Sequence, residues 1–212
     1  VGTGGLEYLL GEASVDGDGT LTYRTYWAAS STQERVAFET FIDHVMERWA
    51  EHPDLHVYHF APYEPVAMKR LMGRYATRED EVDRLLRARV FVDLYSIAKQ
   101  TLRASVERYS IKDLEQFYGY EREAELADAS KCLRVFERAL EVGHVDAVPP
   151  EVRSTVETYN RDDCVSTLRL RNWLEELRSE LIRKGEEVAR PSLADGDPSE
   201  EGIRQYLDGI GS

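Results

Sequence analysis

Apolar and polar residues alternate in two short runs near the start of the chain, at positions 5–11 and 20–28. This period of two is typical of β-strands with one buried face. The intervening sequence, Val15-Asp-Gly-Asp-Gly19, favours a tight turn. A calcium loop is the alternative, but Thr25 stands where such a loop needs a bidentate glutamate. The pattern therefore predicts a β-hairpin.

A helical period follows, with apolar residues recurring from Val36 to Trp49. We predict that this helix begins at Ser31 or Thr32, with Glu34 as a capping partner, and ends at His52-Pro53. The next segments read as a strand at 55–60, a helix at 64–72 and a strand at 90–95. Further helices are predicted from an N-cap at Thr77, over 110–119, over 124–142 and over 151–184. Strands alternating with helices indicate an α/β fold.

The net charge of the chain limits the classes of protein to which it could belong. A net charge of −13 argues against a domain that grips nucleic acid through a broad basic surface. It is compatible with carboxylates that hold divalent ions, which then carry the positive charge that meets a phosphate. The two cysteines, Cys132 and Cys164, have neither CxxC spacing nor a histidine at ligand spacing, so we expect buried free thiols.

The chain shows no apolar run of the roughly 20 residues that span a bilayer, and its start does not resemble a signal peptide. We therefore expect a cytoplasmic protein without a membrane partner. We expect one domain over residues 1–188, followed by a linker or tail over 189–212, where Pro, Gly, Ser and Asp dominate.

The segment Tyr159-Asn-Arg-Asp-Asp163 carries the first candidate chemistry. Residues four apart lie on one helix face, so Tyr159 and Asp163 would project together. In a two-metal phosphodiesterase, such an Asp holds a divalent ion and such a phenol orients the attacking water. A half-buried tyrosine beside a solvated aspartate is the structural alternative.

The second candidate is His59-Phe-Ala-Pro-Tyr-Glu64, which joins a predicted strand to a helix. Ligands of α/β sheets bind where strands end, so Glu64 would point into a crevice and serve as a metal ligand and catalytic carboxylate. The alternative is a first-turn glutamate that merely complements the helix dipole. His59 would contact a phosphate, orient Glu64, or form only structural hydrogen bonds.

Other residues have weaker assignments. Asp162 lies about 100° round the helix from Asp163, so we expect it to face solvent or a helix contact. Asp93 ends a strand and reads as a cap rather than as a ligand. Lys69, Arg70 and Arg74 would guide a single strand, or form an ordinary solvated helix face.

Together these motifs resemble those of DEDDy exonucleases in the ribonuclease H-like superfamily. Tyr159 to Asp163 matches the family's third motif, and His59 to Glu64 matches the second, with histidine for asparagine, glutamate for aspartate and Tyr63 at the aromatic position. The segments 90–95 and Ser110-Ile-Lys-Asp-Leu114 resemble the intervening strand and helix. More narrowly, residues 4–180 resemble the YprB-type domain of large bacterial RecB-family-like nucleases.

The resemblance implies a ribonuclease H-like fold with a mixed central sheet flanked by helices. It also implies a 3′→5′ exonuclease with two Mg²⁺ or Mn²⁺ ions, acting on single-stranded nucleic acid ends. Tyr159, Asp163 and Glu64 would be catalytic, with Glu64 and Asp163 as metal ligands and His59, Tyr63, Lys69 and Arg70 near the substrate. Helicase and further nuclease modules are the expected partners within one polypeptide.

The sequence departs from the family's pattern at one place. The family's first motif, Asp-x-Glu, lies on a strand just before the hairpin, and no Asp-x-Glu occurs before the hairpin turn. We therefore expect that the first strand is absent from this chain, and that the chain alone binds metal weakly and is nearly inactive. The alternatives are a degenerate nuclease fold that serves as a nucleic-acid-binding or interdomain scaffold, and a plain interaction domain.

Overall fold

Strands and helices alternate along the computed structural model, which describes residues 5–190. The strands are β1 (Leu9–Val15), β2 (Leu21–Trp27), β3 (Val57–His59) and β4 (Phe91–Asp93). The helices are α1 (Ser31–Glu51), α2 (Tyr63–Tyr75), α3 (Glu79–Arg87), α4 (Leu94–Thr101), α5 (Ile111–Tyr118), α6 (Leu126–Glu141) and α7 (Pro150–Arg183). The expected α/β class is confirmed. Most of the expected tail, positions 191–212, lies outside the described residues.

β1 and β2 form the predicted antiparallel hairpin, with Leu9 opposite Trp27 and Val15 opposite Leu21. The turn uses its own aspartates: Asp18 accepts from the Thr20 backbone N–H at 2.9 Å, and Asp16 accepts from the Thr22 hydroxyl at 3.3 Å. Gly19 has φ of +87°, a value that glycine adopts without steric cost. The turn interpretation is confirmed.

The sheet consists of two separate strand pairs. β3 and β4 are parallel, with Val57 opposite Phe91 and His59 opposite Asp93. Over residues 5–190, no backbone ladder joins this pair to the hairpin, so the single mixed sheet we expected is found only as its antiparallel and parallel parts. α7 contacts both β1 and β3, and this helix holds the two pairs in one body.

Two helix starts differ from the predictions. At α1 the Ser30 hydroxyl accepts from the Gln33 N–H at 3.3 Å, so the capping partner is Gln33 and not Glu34. At α3 the N-cap is Arg78 in the left-handed conformation, with φ of 54°. The Thr77 hydroxyl donates instead to Glu39 at 2.7 Å, so its predicted capping role was wrong. At α1 the cap is still local but begins one residue earlier, whereas at α3 a partner 38 residues away takes the Thr77 hydroxyl.

Two hydrophobic clusters stabilise the elements that later carry the site. One joins α1, α2 and α3 beneath the hairpin, with Phe38, Ile42, Leu71 and Leu85 fully buried. The other joins α4, α5 and α7 through Leu94, Ala98, Leu114 and Leu170. The first cluster fixes α2 and the second fixes α7. Among the described helices, none is both long enough and apolar enough to cross a membrane.

α7 approaches β1 closely at Gly11. A Cβ atom at position 11 would lie 1.8 Å from Asn160 Oδ1, a separation that no side chain tolerates. The Tyr23 hydroxyl donates to the same oxygen at 2.8 Å. Because Asn160 lies between Tyr159 and Asp163, this contact fixes how closely the segment of α7 that carries the candidate residues approaches the hairpin.

Candidate active site

Tyr159 and Asp163 lie one turn apart on α7, as their spacing predicts. Arg122 contacts both: its guanidinium carbon lies 5.6 Å from the centre of the Tyr159 ring, and its Nη1 donates to Asp163 Oδ1 at 2.8 Å. The Tyr159 hydroxyl also accepts from Lys112 Nζ at 2.9 Å. Two cationic side chains, Lys112 and Arg122, therefore contact the face of α7 that carries the motif.

Arg122 is held in place by a buried polar network. Its side chain is only 7% exposed, and it donates to Glu115 at 2.7 to 3.1 Å. Glu115 in turn accepts from the Ser166 hydroxyl at 2.7 Å, one turn beyond Asp163 on α7. Although burial opposes the charged guanidinium, the two carboxylates raise the pKa of Arg122 above its ordinary value. Arg122 is thus a fixed cation beside Asp163.

Asp163 itself is a partly desolvated carboxylate. Burial raises its pKa above the ordinary value, and the charges of Arg122 and Lys112 oppose that rise. Oδ1 is occupied by Arg122, whereas Oδ2 accepts no hydrogen bond from residues 5–190. One oxygen is therefore available for a ligand.

Glu64 reaches the same region from the β3–α2 junction. The chain turns there through Ala61, which has a left-handed φ of 69°. Two side chains brace this turn: Asp93 accepts from the Ala61 N–H at 2.9 Å, and His59 Nδ1 lies 2.7 Å from the Ala61 carbonyl. Pro62 follows as the N-cap, and Glu64 then lies in the first turn of α2.

Removal from water, followed by the negative charges of Asp93 and Asp163, raises the pKa of Glu64 to about 7. Its side chain is 49% exposed, and its nearest cationic candidate is His59 Nδ1 at 3.7 Å from Oε2. Apart from its own N–H, no described residue donates a hydrogen bond to this carboxylate. The two motifs therefore meet in space, since the Asp163 charge acts on Glu64.

The chain's membership of a family follows from comparison with known proteins. A family model described as RNase_H superfamily matches residues 2–175. The chain belongs to the RNase H superfamily. Neither the search of curated proteins nor the search of solved structures found a match.

The domain is thus a nuclease-like hydrolase domain, and RNase H-like nucleases generally use divalent metals. Glu64 and Asp163 suit such an ion, because both are oxygen donors and each keeps a carboxylate oxygen without a hydrogen bond from residues 5–190. No group of three His, Cys, Asp or Glu side chains that could hold a metal occurs within these residues. The RNase H superfamily site seen here therefore fits part of a metal centre.

Asp93 and Asp162 have structural contacts. Asp93 caps α4, accepting from the Tyr95 N–H at 3.0 Å and the Ser96 hydroxyl at 2.6 Å, as expected. Asp162 is 1% exposed and accepts from the Tyr120 hydroxyl at 2.8 Å and the Ala124 N–H at 2.9 Å. Asp162 therefore binds the loop between α5 and α6, and it neither faces solvent nor contacts a neighbouring helix as expected. It holds the loop that carries Arg122 against α7.

The predicted substrate contacts lie around one face of α2. The Tyr63 hydroxyl donates to Glu7 at 2.8 and 2.9 Å, and Arg70 forms an ion pair with the same carboxylate. Lys69 is exposed, whereas Arg74 pairs with Glu34 at 2.8 Å. Arg70 and Arg74 thus already have carboxylate partners, and their role towards a substrate stays a prediction.

Sequence reasoning missed Lys112 and Arg122. Lys112 follows the predicted N-cap Ser110 by two residues, so its place on a short capped helix was available as a signal. Arg122 lies in a loop between α5 and α6, and no spacing rule connects it to Asp163. Its partners are 7 and 41 residues away, which only the folded chain reveals.

The cysteines are free and half-buried rather than fully buried. Burial raises the pKa of the Cys164 thiol to about 12, and the neighbouring carboxylates Asp163 and Glu64 add to the rise. A thiol with so high a pKa is a poor nucleophile at neutral pH. Cys164 is therefore not a candidate nucleophile.

Proposed function

We propose that this domain is a metal-dependent 3′→5′ exonuclease of the DEDDy type, which hydrolyses phosphodiester bonds of DNA or RNA. One observation carries the proposal: the charge of Asp163, one turn from Tyr159 on α7, acts on Glu64, which lies 99 positions earlier in the sequence. Carboxylates repel one another and resist desolvation, so a fold gains nothing in stability from this arrangement. A shared cation explains why they meet.

Glu64 and Asp163 would hold that cation, either Mg²⁺ or Mn²⁺. A bound divalent ion would supply positive charge to the phosphate of the substrate and acidify an attacking water. Further carboxylates, such as those of an Asp-x-Glu strand, would complete a two-metal site. We expect strong cleavage only when they are present.

Tyr159 would orient the attacking water. Because Lys112 donates to the phenol oxygen at 2.9 Å, the phenol's own hydrogen is free to point at an acceptor other than Lys112. A water oxygen held in this way forms the new bond to phosphorus, while the bond from phosphorus to the 3′ oxygen breaks. The proton that the water loses would pass to solvent, because Glu64 as a metal ligand would stay deprotonated.

The finer assignments rest on the resemblance. It supports a YprB-type domain that acts on single-stranded ends within a larger polypeptide with helicase and nuclease modules. The half-exposed Glu64 and the exposed Tyr63 are compatible with access by a flexible strand.

The test is Mn²⁺-dependent release of label from 3′-labelled single-stranded DNA and RNA. The chain is compared with Asp163→Asn, and with both versions carrying an upstream Asp-x-Glu strand. Asp128→Asn on α6, which is exposed, is the matched control. We expect cleavage that Asp163→Asn reduces by at least about a hundredfold and that Asp128→Asn leaves unchanged. Full activity in Asp163→Asn would contradict the exonuclease assignment.

A second candidate is a catalytically degenerate nuclease fold that binds nucleic acid or joins neighbouring domains. Two observations favour it: residues 5–190 contain no three-ligand metal group, and Arg122 already neutralises Asp163. This hypothesis predicts binding of a strand without cleavage in every version tested. Efficient metal-dependent cleavage would eliminate it.

A further inference from the structure

Lys112 is a cation whose position is not explained by the fold. Its ammonium lies 2.9 Å from the Tyr159 hydroxyl and 5.1 Å from the centre of that ring. Within residues 5–190 it forms no ion pair with a carboxylate, although the chain carries 40 acidic residues against 27 Lys and Arg. Arg122, by comparison, is engaged by Glu115 and Asp163.

The place of Lys112 is fixed by its helix. Ser110 caps α5 at its start, accepting from the Asp113 N–H at 3.2 Å, and Gly119 ends it in the left-handed conformation. Leu114 on the opposite face is fully buried. The Lys112 side chain is therefore exposed on a well-anchored helix, and its charge acts on the carboxylate of Asp163.

We propose that Lys112 binds a phosphate oxygen of the nucleic-acid strand at the candidate active site. An approaching phosphodiester meets the negative charge of Glu64, and Arg122 is already engaged by Glu115 and Asp163, so Lys112 is placed to offset the repulsion. A lysine ammonium has three donor hydrogens, of which Tyr159 accepts one. The remaining two have no acceptor among residues 5–190.

This inference rests on the proposed function, because it assumes that a phosphodiester enters beside Glu64 and Asp163. The alternative is that Lys112 only orients Tyr159. The two roles differ in measurable terms. A phosphate contact contributes to binding and to its salt dependence, whereas an orienting contact leaves both unchanged.

The experiment measures binding of a fluorescent single-stranded oligonucleotide in EDTA, where no metal-dependent cleavage occurs, over a series of salt concentrations. The variants of the full chain are Lys112→Met, Lys112→Arg and Tyr159→Phe. Lys131→Met is the control, since Lys131 is exposed on α6 and pairs with Asp128. Urea unfolding of each variant checks that the fold is unchanged.

We expect Lys112→Met to weaken binding about tenfold at low salt and to reduce the slope of log K against log salt by about 0.7. Lys112→Arg should keep the slope, and Tyr159→Phe and Lys131→Met should resemble the unmodified chain. An unchanged slope in Lys112→Met, or no binding by the unmodified chain, would overturn the inference.

These results separate the two proposals. Binding that depends on Lys112, together with no cleavage in any version, removes the exonuclease proposal and leaves the phosphate contact in place. Cleavage together with a salt slope that does not depend on Lys112 removes the phosphate contact and leaves the exonuclease proposal in place.

Discussion

Glu34 and Glu64 occupy the same local position, the first turn of a helix, and differ in almost every other respect. Glu34 is 1% exposed and accepts hydrogen bonds from Arg74, at 2.8 Å, from the Tyr75 hydroxyl and from the Glu7 N–H. Glu64 is half exposed and faces other carboxylates, and its pKa is raised to about 7.

The comparison separates a carboxylate that stabilises the fold from one that we propose to be a metal ligand. Three donors of the protein bind the Glu34 carboxylate. These hydrogen bonds offset the free-energy cost of burying its charge. Glu64 lacks such donors, and its charge is destabilising until a cation binds. Under this proposal, a search for the most buried glutamate would select Glu34 and miss Glu64.

The largest expected effect is on stability at Glu34. Glu34→Gln removes the charge that pairs with Arg74 and should lower the free energy of unfolding by about 3 kcal/mol. Urea unfolding measures the change. Glu47→Gln, exposed on the same helix, is the control and should change stability by less than about 0.5 kcal/mol. Equal stability of the two variants would remove the contrast between Glu34 and Glu64.

The next effect concerns the contact that positions Asp163 relative to Glu64. Gly11→Ala forces Asn160 to move and breaks its hydrogen bond to Tyr23, which should cost about 1.5 kcal/mol. Gly17→Ala is the control, because nothing lies within 4 Å of a Cβ atom at position 17. Thermal unfolding of both variants tests this, and a neutral Gly11→Ala would show that α7 is not fixed by this contact.

The smallest effect is the pH dependence of stability due to Glu64. A pKa raised from 4.5 to about 7 favours the protonated folded state, so this contribution is present below pH 4.5 and is lost as the pH rises through 7. Glu64→Gln should match the unmodified chain at pH 4 and be more stable at pH 8. Because the side chain is 49% exposed, solvent screening limits the gain to about 1 kcal/mol.

Unfolding measured in EDTA from pH 4 to pH 8 gives this difference directly. A constant difference across the range would mean that Glu64 titrates at its ordinary pKa. Addition of Mn²⁺ at pH 8 should then stabilise the unmodified chain more than Glu64→Gln, since the ion binds only the deprotonated carboxylate.

Local sequence signals predicted the elements that depend on local chemistry. The hairpin turn at Asp16 to Gly19, the cap at Ser110 and the helical spacing of Tyr159 and Asp163 all involve residues within a few positions of each other. These signals placed both candidate motifs on the correct elements. They were sufficient for the α/β class, whereas the roles of the candidate residues stay predictions.

The remainder depends on partners that are distant in sequence. Glu34 was assigned to a cap because its main partner, Arg74, is 40 residues away. Thr77 was assigned to a cap for the same reason, since Glu39 lies 38 residues earlier. Arg122 has no signal before folding brings it to Asp163. The separation of the two strand pairs likewise has no signal in the periodicity of the chain.

The left-handed turn at Ala61 affects which residues a mutational screen of this domain would identify as essential for activity. Asp93 and His59 hold that turn through the two backbone atoms of Ala61, and the turn in turn aims Glu64. Loss of either side chain would let a strained alanine relax and would displace the carboxylate. We therefore expect an activity screen to score Asp93 among the essential residues, although it acts on the backbone of Ala61 and is not itself a proposed ligand.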